Sequence, residues 1–405
     1  ALEISTRLTE ESAHAQIYRN LAIIEATRDN GESALMDIKK AVHIDSVYHS
    51  RSGMTRNIIN MVKIQLHAAD YKTALNNIDL ILSNSQYHAP SQLRPLIWLL
   101  KGRSLAGLDK REEARETLQK AATSAARILD KNTEWRAFYH LARLAQDSVE
   151  AKTNLLRAIG CLESDFAVYE TIPQSWGLVK PPFSYHQLVD VLVSNKQFND
   201  ALMIAERAKR FELQKRLVFS SVSLVKSDPI PVKKVDSLQH RIHLDRTTLL
   251  REMDQSPADS AKIRKLATAI RASFQFFHNM ERARAAKDSS FLRHIQSRLK
   301  NEKIISFYTA DTCLYTWIVT NSSTHFYQRA IDDSALVNEI KNLNDSLAVG
   351  GVIPAMNLLN ETVTNPLEPF LNHSLQIIVI PHSFLFNVPF AALRTADQGY
   401  WGLRH

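Results

Sequence analysis

Glycine is the scarcest signal in this chain: ten in 405 residues, about 2.5 % against a usual share of roughly 7 %. That shortage argues against all-β sandwiches and against folds built on glycine-rich phosphate loops. Proline is scarce at one end only. Pro90 and Pro95 are the two before residue 160, and the other eleven follow it. A stretch nearly free of both helix breakers reads as helix, and the later change of composition predicts a change of architecture. Cysteine is limited to Cys161 and Cys313, far apart, which excludes a disulfide scaffold or a thiolate zinc site and suits a reducing, cytoplasmic setting. No apolar run of about 18 residues exists, so no membrane insertion is expected. The start, Ala-Leu-Glu-Ile-Ser, lacks the basic-then-apolar pattern of a leader, and a first residue other than Met implies a natural start further upstream. The sequons at Asn321, Asn344, Asn360 and Asn372 then read as chance.

Apolar residues make up 45 % and charged residues 23 %, as in ordinary globular chains, which excludes a disordered tail. The net charge of +8 is spread along the chain and permits an acidic partner without demanding one.

Alanines set a register. Ala34 and Ala41, Ala114 and Ala121, Ala151 and Ala158, and Ala201 and Ala208 are each seven apart, and Ala74 with Ile81 is the same pair with a larger second member. A bulky residue precedes each first member by sixteen: Tyr18, Ile58, Trp98, Trp135 and Tyr185. Small residues at that spacing let two helices approach, while the bulky residue fills the gap between neighbouring pairs. Residues 98–121, with Trp98, Gly102, Leu105, Ala114, Leu118 and Ala121, resemble the tetratricopeptide repeat (TPR). About five repeats over 1–212 are expected, with an insertion around Ser164–Pro182. The first helix of each pair would line a concave face. Arg19, Lys63, Arg103, Arg136, His140 and Arg143 fall on it, against one carboxylate, Asp190. Such a groove suits an acidic peptide, although Arg and Lys are also ordinary helix-surface residues. No aromatic-basic motif supports direct nucleic-acid binding.

Residues 213–302 read as a helical connector, with amphipathic stretches at 234–254 and 258–286 forming a hairpin. His240 and His243 share a helix face but have no third ligand, so solvated surface outweighs metal. From 303 the pattern turns to short strands at 304–308, 314–319 and 324–327, helices at 333–347 and 352–363, and an apolar strand at 375–380, buried on both faces. This is α/β architecture.

The segment from Ile377 to Leu393, with Pro381-His382-Ser383 and Val388-Pro389-Phe390-Ala391-Ala392-Leu393, resembles the signature of the CHAT domain, the caspase- and separase-like domain that accompanies TPR arrays. His382-Ser383 stands where the family has Asp-Gly, and Asn365-Pro366-Leu367 resembles the step before that strand. The resemblance implies a fold of TPR solenoid, helical connector and, over 303–405, the N-terminal part of an α/β caspase-like domain. It further implies a cysteine endopeptidase whose repeats bind a partner or trigger in cellular defence, such as an RNA-guided effector complex, with a protein substrate such as a pore-forming one. The family's His-Gly step and its Ala-Cys-Glu step have no counterpart here. No catalytic residue is therefore assigned: His405 lacks the following Gly, and Cys161, Cys313 and His382 read as structural. No cofactor and no metal are expected. The alternative is a non-catalytic adaptor with a pseudo-enzymatic docking domain.

Overall fold

A computed structural model describes residues 2–84, 87, 90–164, 182–219, 241, 244–245, 247–253, 255, 259–270, 272, 288–310, 312–349, 357–370 and 376–393. The protein is mostly helical, with a small mixed four-stranded sheet near its C-terminal end. It divides into two compact units. One comprises residues 1–191 and 214–281, the other 192–213 and 282–405. The periodicity ends at 212, whereas compactness groups 192–213 with the sheet.

The first unit contains α1 (Leu2–Thr27), α2 (Gly31–Val47), α3 (Arg51–His67), α4 (Tyr71–Ser83), α5 (Arg94–Gly107), α6 (Arg111–Arg127), α7 (Lys131–Arg143), α8 (Ser148–Ser164) and α9 (Pro182–Ser194) up to residue 191. From α1 to α8 each helix packs on the next, and α1, α3, α5 and α7 also touch in series. The alanine register explains this stacking. Ala34, Ala41, Ala74, Ala114, Ala121 and Ala158 are wholly buried, and their small side chains let backbones approach. Gly102 also lets two helices approach: a Cβ there would lie 2.6 Å from Leu118 Cγ. Of the bulky members, Ile58, Trp135 and Tyr185 are buried. Trp98 is only half-buried, its ring packed beside Leu118 and Ala121 with Lys120 Nζ 5.9 Å above it.

One turn geometry recurs. Asp29, His49, Ala69, Asp109 and Leu129 all have φ between 54° and 60°, each in a three-residue joint between helices. The residue after each closes the preceding helix: Asn30, Ser50, Asp70, Lys110 and Asp130 donate N–H bonds of 2.8–3.0 Å to carbonyls five residues back. This is the Schellman closure, usually built on glycine. Here it is built without one, which accounts for part of the glycine shortage. Asp70 and Asp130 then cap α4 and α7 by accepting from Thr73 N and Thr133 N.

Of the expected connector hairpin, residues 247–253 and 260–270 are helical; Leu249, Ala267 and Ile270 form a buried cluster with Leu129. His240, His243, His405 and most of the expected insertion lie outside the described residues.

The second unit opens with the C-terminal end of α9 and α10 (Phe198–Phe219) as far as residue 213. It continues with α11 (Asp288–Arg298), β1 (Lys303–Ala310), β2 (Cys313–Val319), β3 (Thr324–Ala330), α12 (Asp333–Ala348) and β4 (Ile377–Ile380). The strand order is β3-β2-β1-β4, antiparallel except for the parallel β1–β4 pair, in which Lys303 faces Ile377 and Ser306 faces Ile380. Side chains alternate across the sheet. Ile305, Phe307, Leu314 and Ile318 pack with Leu336, Ile340 and Leu343 of α12. On the other face Phe198 of α10 stacks on Phe326 at 4.6 Å, and Trp317 Nε1 donates to Phe198 O at 2.9 Å. Burial on both faces was expected of the strand ending at Ile380 and is found in β1 instead. Among the described residues β4 lies at the sheet's edge, and Ile378 is 43 % exposed.

Candidate partner-binding site

Lys63 on α3, Arg103 on α5, and Arg136, His140 and Arg143 on α7 come from helices that touch in series. Their exposure is graded. Arg143 is exposed, Arg103 and His140 are half-buried, and Lys63 and Arg136 keep only 7 % and 2 % of their surface. Burial disfavours the charged form of Lys63, Arg103, Arg136 and His140, and the neighbouring cations add to it. Burial, then Arg136 and Arg103, lowers Lys63 to about 8. Burial lowers Arg103 to about 10, with Arg143 opposing its charge and the hydroxyls of Tyr71 and Tyr139 favouring it. Burial lowers Arg136 to about 9, Arg103 contributing and Asp130 working against it. His140 is held well below its usual range by burial and by Arg103, Arg143 and Arg136, and so stays neutral. These five groups share one electrostatic field.

Local sequence explains the α7 contribution. Asp130 caps the helix and also accepts from Thr133 Oγ1 at 2.6 Å. One turn on, the Arg136 guanidinium lies over the Trp135 ring at 4.4 Å and donates to Asn132 O at 2.8 Å. The Tyr139 and His140 rings meet edge to face at 5.3 Å. Trp135 Nε1, Arg136 Nε and His140 Nε2 are buried with no hydrogen-bond partner.

Arg19 does not belong to this group. Its Nε donates to Asn57 Oδ1 at 2.5 Å, Asn57 Nδ2 donates to Asp45 Oδ2 at 2.6 Å, and Arg19 lies 3.8 Å from the same carboxylate. It ties α1 to α2 and α3 instead of lining a groove. Asp190, the expected exception, is exposed on α9. Sequence reasoning named the other five but missed their depth, and it missed Tyr71, Tyr139 and Asp130. Only the Asp130-x-x-Thr133 capping spacing offered a signal.

The second unit holds a separate polar network. Ser306 Oγ donates to Glu206 Oε1 at 2.5 Å, and Lys209 Nζ donates to both Glu206 Oε1 and Ser306 Oγ, at 2.7 and 2.8 Å. Burial lowers Lys209 below the usual lysine range despite Glu206. His382, 5 % exposed, accepts at Nδ1 from Thr309 N–H at 3.0 Å and stacks on Tyr308, with its Nε2 3.5 Å from Glu212 Oε2. This geometry fastens α10 and the segment after β4 to the sheet. Cys161 is buried on α8, and Cys313 is part-exposed on β2. The described residues contain no cluster of three His, Cys, Asp or Glu that could hold a metal, and no helix among them is long and apolar enough to cross a membrane. Compared with known proteins, the chain matches no family model and no curated relative.

Proposed function

We propose that this chain is the partner-binding array and the N-terminal part of the catalytic domain of a TPR-CHAT cysteine endopeptidase. Its repeats would receive an acidic segment of a protein trigger that controls cleavage of a protein substrate. One observation supports the reading: on three helices packed in series, Arg103, Arg136 and Arg143 each oppose the charge of another basic group of the set. Like charges gathered at such cost gain most from an anionic partner. The strand order, with β4 pairing parallel to β1 ahead of Pro381, agrees with the α/β half of the reading.

The test is titration of the full chain with a Glu-rich peptide at low and high salt. Affinity should fall with salt and fall again in Arg143→Glu, which alters an exposed group, while Arg28→Glu, also exposed, leaves it unchanged. Equal affinities for all three would remove the groove. A casein substrate should stay intact with the chain alone. Cleavage lost in Cys161→Ala or Cys313→Ala would place catalysis inside this chain.

A further inference from the structure

Within the first unit, α3 and α5 each turn one face to the helix before them. On α3, Asn57 Nδ2 donates to Asp45 Oδ2 of α2 at 2.6 Å, and Ile64 shares a buried cluster with Ala34, Ile38 and Ala41 of α2. At the same register positions of α5, Ile97 shares a buried cluster with Ile78 and Ile81 of α4, and Lys101 Nζ donates to Asp79 Oδ1 at 2.7 Å. Asn57, Ile64, Ile97 and Ser104 are all buried.

The register puts Ile17, Leu21 and Ile24 at those positions on α1. They stand at i, i+4 and i+7, a single stripe of the helix. This stripe is the most apolar of the three, since α3 carries Asn57 there and α5 carries Lys101 and Ser104. It is also the most open: the three residues are 52, 40 and 44 % exposed. A stacked helix that faces water calls for a polar outer face, because exposed apolar surface there costs solubility. α1 has the opposite.

We propose that the Ile17–Leu21–Ile24 face of α1 is a docking site for an amphipathic helix of a partner protein, which continues the stack one step beyond α1. The site is separate from the basic set on α3, α5 and α7 and does not depend on how that set is used.

The chemistry of the occupant follows from the helices that cover the equivalent faces. α2 brings Ala34, Ile38 and Ala41, and α4 brings Ala74, Ile78 and Ile81. Each ridge is a small residue, an isoleucine four on, and a small or branched residue three further. The small member lets the backbones close, and the isoleucine fills the row between side chains of the facing helix. A helix with that ridge fits Ile17, Leu21 and Ile24 in the same way. A second copy presenting α1 itself would set three large residues against three, with no small member between them. An anchor lies beside the stripe. Tyr18, one turn from Leu21, walls an open depression of about 770 Å³ whose other walls include Met36, Lys40 and Ile44 of α2. Lys40 Nζ sits 5.1 Å from the centre of the Tyr18 ring and 3.1 Å from Asp37 Oδ1, so that wall is tied in place in the free protein. The depression has room for a bulky side chain flanking the partner's ridge.

The test titrates the full chain with a helix-stabilised peptide of the α2 sequence, Gly31–Val47, which carries the required ridge, and reads fluorescence anisotropy. Saturable binding is expected. It should weaken at least tenfold in Leu21→Glu, and again when the peptide carries Ile38→Asp, and stay unchanged in Leu156→Glu, which alters an exposed leucine of α8. The protein variants should keep the parent's circular dichroism spectrum. If Leu21→Glu does not fold, Ile17→Glu, at the most exposed of the three positions, decides. Absence of binding overturns the inference. So does binding indifferent to the α1 substitution, which would mean that the peptide exchanges with the chain's own α2. Concentration-dependent dimers in sedimentation, lost in Leu21→Glu, would overturn it as well, because the face would then belong to a second copy.

Discussion

Replacing Lys63 by Met should stabilise the protein at neutral pH. The side chain is 7 % exposed, and burial together with Arg136 and Arg103 brings its pKa from 10.5 to about 8. At pH 7 the folded protein holds a protonated amine that the unfolded chain holds more easily. The difference, at about 1.4 kcal/mol for each tenfold change in acidity, comes to about 3 kcal/mol. The sign follows from proton counting. Between pH 8 and 10.5 the unfolded chain keeps the proton and the folded protein does not, so stability rises with pH across that window. Methionine keeps the unbranched stem and has no charge to desolvate. Lys63→Met should therefore exceed the parent by 2–3 kcal/mol at pH 7, with the gap closing as pH rises from 8 towards 10.5. Urea unfolding followed by circular dichroism at pH 7, 8, 9 and 10 measures both. A variant less stable than the parent at pH 7, or a gap unchanged between pH 7 and 10, would refute the view that burial and the neighbouring arginines disfavour the Lys63 charge.

Three other outcomes are expected. Ala69→Gly relieves a left-handed alanine (φ 56°) in the α3–α4 joint and should raise stability by about 0.5–1 kcal/mol, read as a higher thermal midpoint. Trp135→Ala should cost about 3–5 kcal/mol, as for a fully buried aromatic, and half-buried Trp98→Ala clearly less; equal denaturant midpoints for the two would contradict the packing. Gly102→Ala forces a methyl against Leu118 and should cost about 1–3 kcal/mol by chemical denaturation, unless Leu118 changes rotamer at no cost.

The helix pairs were legible because small residues seven apart report where backbones must approach, and no other arrangement of those residues is as economical. Ala34, Ala41, Ala114 and Ala121 are all wholly buried. The strands were legible for a similar reason, since β-branched and aromatic runs over 303–319 match their observed bounds within two residues. Depth was not legible. Periodicity places Lys63 and Lys101 on a helix without saying that one is enclosed and the other half-exposed, because enclosure depends on the helices on either side. Arg19 shows the same limit: its partners Asn57 and Asp45 sit on two other helices, and nothing near residue 19 announces them. For that reason an Arg103→Glu/Arg136→Glu variant would not leave the fold intact. With Arg136 only 2 % exposed, it would bury a carboxylate and unfold the array before testing any ligand. β4 misled for a different cause. An apolar run states that a strand avoids water, not which of its sides has a neighbour.

The repeated helix joints bear on proteolytic wear. A protease must thread several extended residues through its cleft, and each of the five left-handed joints from Asp29 to Leu129 offers three residues between two hydrogen-bonded helix ends. Cutting at Ala69 or Asp109 therefore requires a helix end to fray before the bond can be seated. When that opening is rapid and reversible, the rate of nicking follows the population of the opened form rather than the exposure of the joint. At those joints the cut rate becomes a local stability gauge, and whatever tightens one helix pair lengthens the life of the peptide bonds at its ends.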